Sequence, residues 1–173
     1  MHDATKIKST LVARATVVAV RDLRPADREA VIALDAECFG EYHWRARDFT
    51  RAMRRPGAAA LVAMLPAPTP LAGFVIYARG RRGMKLLNLA VNPRRRRRGI
   101  GSLLLALVLV RAAQRQPDLA PQIVTTEVRE TNAAGLAFFR HAGFVAAKLL
   151  RGYYRPWTDE DAIRMIFRPE WGE

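Results

Sequence analysis

Five consecutive arginines, Arg94 to Arg98, run into Gly99-Ile-Gly101-Ser102. Such a segment is suited to hold a polyphosphate. Glycine has no Cβ, so a ligand can approach the main chain closely. A helix opening at Gly99 has first amides with no partner inside the helix, and its dipole adds positive charge there. The guanidinium groups supply full charges around that point. The spacing separates this loop from two other phosphate loops. A Walker loop needs Gly-x4-Gly-Lys-Ser/Thr, and the dinucleotide fingerprint needs Gly-x-Gly-x-x-Gly; neither is present. The chain has Arg96-x-x-Gly99-x-Gly101 instead. Alone, the arginine run would read as a nucleic-acid or targeting patch. Its place between a predicted strand and a predicted helix, with glycines at set offsets, favours the phosphate loop.

A second chemical group lies in Thr125-Thr-Glu-Val-Arg-Glu-Thr-Asn132. On a strand, Ile123, Thr125, Glu127 and Arg129 share one face and Val124, Thr126 and Val128 the other. Glu127 falls on the more polar face, near the strand's end, where it can serve as a proton acceptor or as half of an ion pair. Composition alone favours the ion pair. Cys38, the one cysteine, ends a predicted helix with no motif beside it, so a packed thiol is a better reading than an acyl-carrying nucleophile. Tyr42, His43 and Trp44 follow; ordinary packing is the better reading for the first two. The three histidines carry no metal-like spacing, and no metal is expected.

The elements that must position these groups follow from periodicity and turn residues. Strands are predicted at 16–21, 58–65, 71–79, 85–91, 122–129, 144–149 and 162–168. Helices are predicted after Pro25, with Val31, Leu34 and Cys38 on one stripe, and at 46–55, with Phe49 and Met53 four apart. Two more are predicted at 99–115 and between Asn132, which can cap, and Gly143, which can terminate. Pro66, Pro68 and Pro70 keep 65–70 a loop, and 79–83 is a basic turn. The order β-α-α-β-β-β-α-β-α-β-β predicts an α/β fold, a mixed and mostly antiparallel sheet of about seven strands flanked by about four helices. Residues 1–15 read as a flexible tail and 16–173 as a single domain.

Order and spacing together resemble the GNAT (Gcn5-related N-acetyltransferase) superfamily over roughly 16–168. The carriers are Leu87-Asn-Leu-Ala-Val91, the Arg96-x-x-Gly99-x-Gly101 loop, Glu127-Val-Arg-Glu-Thr-Asn132, Phe138-Phe139-Arg-His-Ala-Gly-Phe144, Arg151-Gly-Tyr-Tyr154 and Glu160-Asp-Ala-Ile163. Within it they look like the ribosomal-protein-alanine N-acetyltransferases, which acetylate protein α-amino groups. The resemblance implies acetyl-CoA as cosubstrate and Glu127 as general base. Leu89, Ala90 and Val91 would bind the acetyl and pantetheine part through the backbone. Arg96, Arg97, Arg98, Gly99, Ile100, Gly101 and Ser102 would hold the diphosphate, and Asn132 would add a CoA contact. Trp44, Tyr153 and Tyr154 would line the acceptor side. One position departs: where the family has a tyrosine general acid, this chain has Phe139, which can pack against the cofactor but not donate a proton. Losing a general acid typically costs about 10²–10⁴ in rate. A thiol with a pKa of about 8.5 leaves as a fair anion without help.

Composition bounds the rest. The chain has 173 residues, 50% hydrophobic and 26% charged, an ordinary globular mix. Its 29 basic and 16 acidic residues give a net charge of +13, which favours polyanionic partners, whether nucleic acid, a ribosome, an anionic membrane or a phosphate-rich cofactor, without choosing among them. A lone cysteine permits no internal disulfide, and no secretory signal or membrane span is apparent, so a cytoplasmic protein is expected. Acetyl transfer to a protein N-terminus, with a ribosomal protein as possible acceptor, leads the readings. A small amine or a lysine as acceptor is the first alternative. An RNA- or ribosome-binding protein on a degenerate acetyltransferase scaffold is the second, and the absence of an RNP motif counts against it. An α-amine near pKa 7.7–8.0 is about a tenth neutral at pH 7, whereas lysine near 10.4 is roughly 0.04% neutral, which favours the N-terminus.

Overall fold

A computed structural model describes residues 9–13, 16–66, 71–81, 83–114, 123–155 and 157–168. Its strands are β1 Ser9–Ala13, β2 Thr16–Asp22, β3 Ala58–Met64, β4 Leu71–Gly80, β5 Gly83–Val91, β6 Ile123–Arg129, β7 Val145–Leu150 and β8 Ala162–Phe167. Its helices are α1 Arg28–Phe39, α2 Ala46–Met53, α3 Ile100–Ala113 and α4 Ala133–His141, with short 3-10 turns at Pro25–Asp27, Gly40–Tyr42 and Pro93–Arg95.

The expected α/β architecture and the element order hold, with one addition. Among the described residues eight strands are present where about seven are predicted. The extra one, β1, lies inside the stretch read as a tail and pairs antiparallel with β2 from Ser9↔Val20 to Ala13↔Thr16. Leu11-Val-Ala13 is apolar and flanked by Thr10, a composition that accepts a strand once a partner edge is present. β5 starts at Gly83, so the predicted basic turn is shorter than 79–83. Residues 67–70, Arg115 and Gln122, which the predicted loop, helix and strand include, lie outside the described residues.

Two compact units share the chain: 1–76 with 88–107, and 77–87 with 108–173. The division falls inside β4, β5 and α3, where sequence alone suggests one domain. In the first unit, α1 buries Val31 and Leu34 of the predicted stripe, and α2 buries Phe49 and Ala52. Met53, predicted to share a face with Phe49, is exposed instead, because α2 turns its Phe49/Ala52 side inward and ends at residue 53. Arg21 of β2 grips Asp27 ahead of α1 through two bonds of 2.6 and 2.8 Å. That guanidinium holds the Asp27 carboxyl below its ordinary value. In the second unit, β6 pairs antiparallel with β8, and β8 with β7. Phe139, Phe144, Val124, Val128 and Met165 form its core.

Gly73 on β4 explains how α3 comes to start where it does. A Cβ there would stand 2.8 Å from the Ala90 carbonyl oxygen and 3.4 and 3.3 Å from Ile100 and Leu104. Only a residue without a side chain lets β5 and the first turns of α3 settle so close to β4.

Candidate functional site

The loop after β5 is held open by its own backbone. The Asn92 side chain accepts from the Arg94 amide at 3.0 Å, and Arg96 Nε donates to the Val91 carbonyl at 3.2 Å. Arg97 sits at φ 59° and Gly99 at φ 78°, both left-handed. For an arginine this is a strained backbone of the kind that gathers at ligand loops. Arg96, Arg97, Arg98 and Gly99 are exposed, and a Cβ on Gly99 would meet nothing within 4 Å. The amide of Leu103 bonds the Gly99 carbonyl at 2.9 Å, so those of Ile100, Gly101 and Ser102 precede the first α-helical bond. The arrangement fits a diphosphate: an open surface, helix-start amides and unburied guanidinium groups. The Ala90 and Ile100 side chains are buried, so any ligand contact from these two is through the backbone.

Upstream of the loop, β5 pairs parallel with β6 from Gly83↔Ile123 to Leu86↔Thr126, and among the described residues that register goes no further. β5 continues to Val91 without it.

The first unit also holds groups that sequence reasoning missed. Asp35 on α1 is fully buried and accepts from the Trp44 amide at 2.6 Å and from Asn88 Nδ2 at 2.7 Å. Burial pushes its carboxyl up, against the two hydrogen bonds. One carboxylate thus ties the segment bearing Trp44 to β5, one residue before Leu89. The signal was present: Asp35 lies four residues after Val31, a charge inside an apolar stripe. Trp44 is half-buried, edge-on to Phe49 at 5.3 Å. Cys38 is half-buried and donates to the Val91 carbonyl at 3.4 Å. Burial raises its thiol, which disfavours a thiolate nucleophile.

In the second unit, β6 alternates as expected, with Val124, Thr126 and Val128 buried. Glu127 stands one residue beyond the end of the β5–β6 register, on the face shared with Thr125 and Arg129. Its side chain is 5% exposed, with Oε2 2.7 Å from Lys85 Nζ and Oε1 2.9 Å from Arg164 Nε. Arg164 is its cross-strand partner on β8. The ion-pair reading of Glu127 is therefore realised twice over. Each carboxylate oxygen retains capacity for one further bond.

Asn132 caps α4, its Oδ1 accepting from the Gly135 amide at 2.9 Å, which leaves Nδ2 as the side chain's donor. Gly143 ends the helix at φ 87°. Phe139 is 7% exposed, edge-to-face with Phe138 at 5.1 Å and Phe144 at 5.2 Å. Its ring is chiefly core, with little surface for a cofactor. Tyr153 is exposed. Tyr154 lies under Arg129, whose guanidinium carbon is 3.8 Å from the ring centroid, and Glu160 anchors that arginine. Burial pushes the Tyr154 hydroxyl up to about 12, which makes it a weak proton donor toward a leaving thiolate. The Thr131 hydroxyl, at 2.8 Å, and Arg129 hold the Glu160 carboxyl below its ordinary value. No group of three metal-ligating side chains occurs among the described residues.

A family model described as Acetyltransferase (GNAT) family matches residues 20–144. The chain belongs to the GNAT acetyltransferase family. Among curated relatives, the ribosomal protein bS18-alanine N-acetyltransferase of Escherichia coli (strain K12) is 40% identical over 85 residues, 46% of this chain and 52% of that protein. That of Salmonella typhimurium is 38% identical over 84 residues, with the same coverage. The match thus spans about half the length of these relatives. Among solved structures, the Escherichia coli ribosomal-protein-S18-alanine N-acetyltransferase superposes with a TM-score of 0.75 at 24% identity, covering 90% of this chain and 96% of that one. Arabidopsis thaliana NAA60 with a bisubstrate analogue gives 0.73 at 16% identity, covering 90% and 99%. These likenesses establish the GNAT fold. Acetyl-CoA is bound in another structure of the plant protein, and acetyl-CoA is the cosubstrate of the GNAT family.

Proposed function

We propose that this GNAT chain moves the acetyl group of acetyl-CoA directly onto the N-terminal α-amine of a protein, with a ribosomal protein as the acceptor. The observation that carries the reading is the open loop at 96–102, with its left-handed Arg97 and Gly99 and its helix-start amides ahead of the first α-helical bond. The similarity to the bS18-alanine enzymes supports the acceptor.

In this mechanism the loop amides and Arg96 to Arg98 hold the diphosphate, and main-chain groups of Leu89, Ala90 and Val91 hold the pantetheine arm. Asn132 adds a donor through Nδ2. The neutral amine attacks the thioester carbonyl; N–H groups near Val91 receive the oxyanion. Glu127 takes the amine proton through a water seated on a free lone pair. Collapse breaks the C–S bond and expels the thiolate, which needs no proton from the chain at its ordinary pKa of about 8.5. With phenylalanine at 139 and the Tyr154 hydroxyl raised to about 12, departure of an unprotonated thiolate is the consistent route. Trp44 and Tyr153 line the acceptor's path, and a cytoplasmic setting belongs to the same proposal.

Thiol release from acetyl-CoA tests it, using peptides that begin with Ala or Ser, the same peptides blocked at the N-terminus but carrying an internal lysine, and polyamines. Turnover confined to free N-termini is expected. Turnover of lysine or polyamines moves the acceptor class; no turnover with any amine overturns the reading.

A further inference from the structure

The excess positive charge is only partly accounted for by the loop at 96–102. A second concentration lies on α2. Arg47, Thr50, Arg51 and Arg54 recur at i, i+3, i+4 and i+7, one stripe of the helix, opposite the buried Phe49 and Ala52. With Arg28 and Arg55 they line an open groove of about 690 Å³, and no acidic or aromatic residue lines it. Arg28 is fixed in place, donating to Thr50 Oγ1 at 2.7 Å and to the Ala46 carbonyl at 3.3 Å. Arg47, Arg51, Arg54 and Arg55 are exposed and make no ion pair among the described residues. The nearest acid in sequence, Asp48, is engaged by the Arg45 amide at 3.0 Å.

Four guanidinium groups without an ion pair among the described residues stand on one short surface and repel one another. Such a surface is at its most favourable against a polyanion. Guanidinium forks match phosphate oxygens two at a time. The lack of aromatic side chains removes the stacking platforms by which single strands are held. What remains is backbone recognition of a helical duplex by charge and shape.

We propose that the α2 groove docks the phosphate backbone of duplex RNA, placing the enzyme beside its acceptor on an RNA-rich particle. The identity of the polyanion as RNA rests on the ribosomal-protein acceptor proposed above; the groove itself does not. It is separate from the acetyl-CoA loop in sequence and serves no chemical step.

The test is fluorescence anisotropy of a short labelled RNA duplex over a potassium chloride series, with acetyl-CoA present and absent. Wild type should bind with log K falling linearly in log salt, unaffected by acetyl-CoA. The triple variant Arg47→Gln, Arg51→Gln, Arg54→Gln should bind more weakly and lower the slope by about 2 to 3, near one for each phosphate contact removed. The same variant should acetylate a short free-N-terminus peptide at the wild-type rate. All three side chains are exposed, so the fold should survive; Arg51→Glu alone is a second variant that reads the same surface by charge reversal. Three results overturn the proposal: a salt slope unchanged by either variant, RNA displaced by acetyl-CoA, or polyglutamate competing as well as RNA at equal charge. Peptide turnover without RNA binding overturns the groove alone. RNA binding without turnover of any amine overturns the acetyl-transfer reading alone.

Discussion

Glu127 has a cation on each oxygen, Lys85 on one and Arg164 on the other. In the proposed mechanism it acts as base through the lone pairs these leave free. Glu127→Gln keeps the shape and removes the proton acceptor. The expected fall in kcat is about 10²–10⁴, the usual worth of a general base, with KM for acetyl-CoA little changed. Steady-state kinetics across pH checks it; full turnover at every pH would remove Glu127 from the role. Asp35 gives a prediction of opposite kind. Its folded pKa is raised, so between the ordinary aspartate value near 3.9 and that raised value the native state binds more protons than the unfolded one. Stability contributed by Asp35 is full below about 3.9 and declines as pH rises through the folded value. Asp35→Asn removes this term, so the stability gap between wild type and variant should change in that acidic window in wild type's disfavour as pH rises. Denaturant melts at several pH values read it, and a gap independent of pH refutes the assignment.

At the scale of elements, the β5–β6 register is short and parallel, beginning at Gly83↔Ile123. It stops at Leu86↔Thr126, while both strands run on. The start of α4 is set by an equally local device. Asn132→Ala should cost about 1 kcal/mol, the usual worth of a cap. Gly135→Ala would ordinarily gain about 0.5–1 kcal/mol from helix propensity. Here the new Cβ would lie 2.6 Å from Asn132 Nδ2, so it displaces the cap and the gain cancels. Adding Gly135→Ala on top of Asn132→Ala should recover the gain. Thermal melts of the four proteins close the cycle; a plain gain from Gly135→Ala alone would mean that the cap does not depend on that clearance.

At the scale of the molecule, charge dominates. With 29 basic and 16 acidic residues the folded chain carries +13, and compaction brings those charges together. Salt should relieve this repulsion more than it weakens ion pairs such as Arg21–Asp27. Tm is therefore expected to rise as potassium chloride is raised through about 0.1 M, where the Debye length is about 10 Å. A Tm that falls over that range would show that the attractive pairs outweigh the repulsion. No described helix is long and apolar enough to cross a membrane.

Much of this was legible in the chain because its causes are local. Glycine offsets after an arginine run, strict alternation along 123–129 and the capping of α4 by Asn132 depend on neighbours a few residues away. Period and turn chemistry carry that information. What stayed hidden depends on partners far apart in sequence. The pairing of Lys85 and Arg164 on Glu127, the meeting of Asp35 with Asn88 and Trp44, and the end of the β5–β6 ladder exist only once distant strands and helices are brought together. β1 was missed for the same reason, since a short strand is defined by the edge it joins. The sequence by itself determined which residue types were available for chemistry and which face each would take. The tertiary structure decided which charges meet and where the β5–β6 pairing begins and ends, because both depend on register between segments that no local pattern encodes.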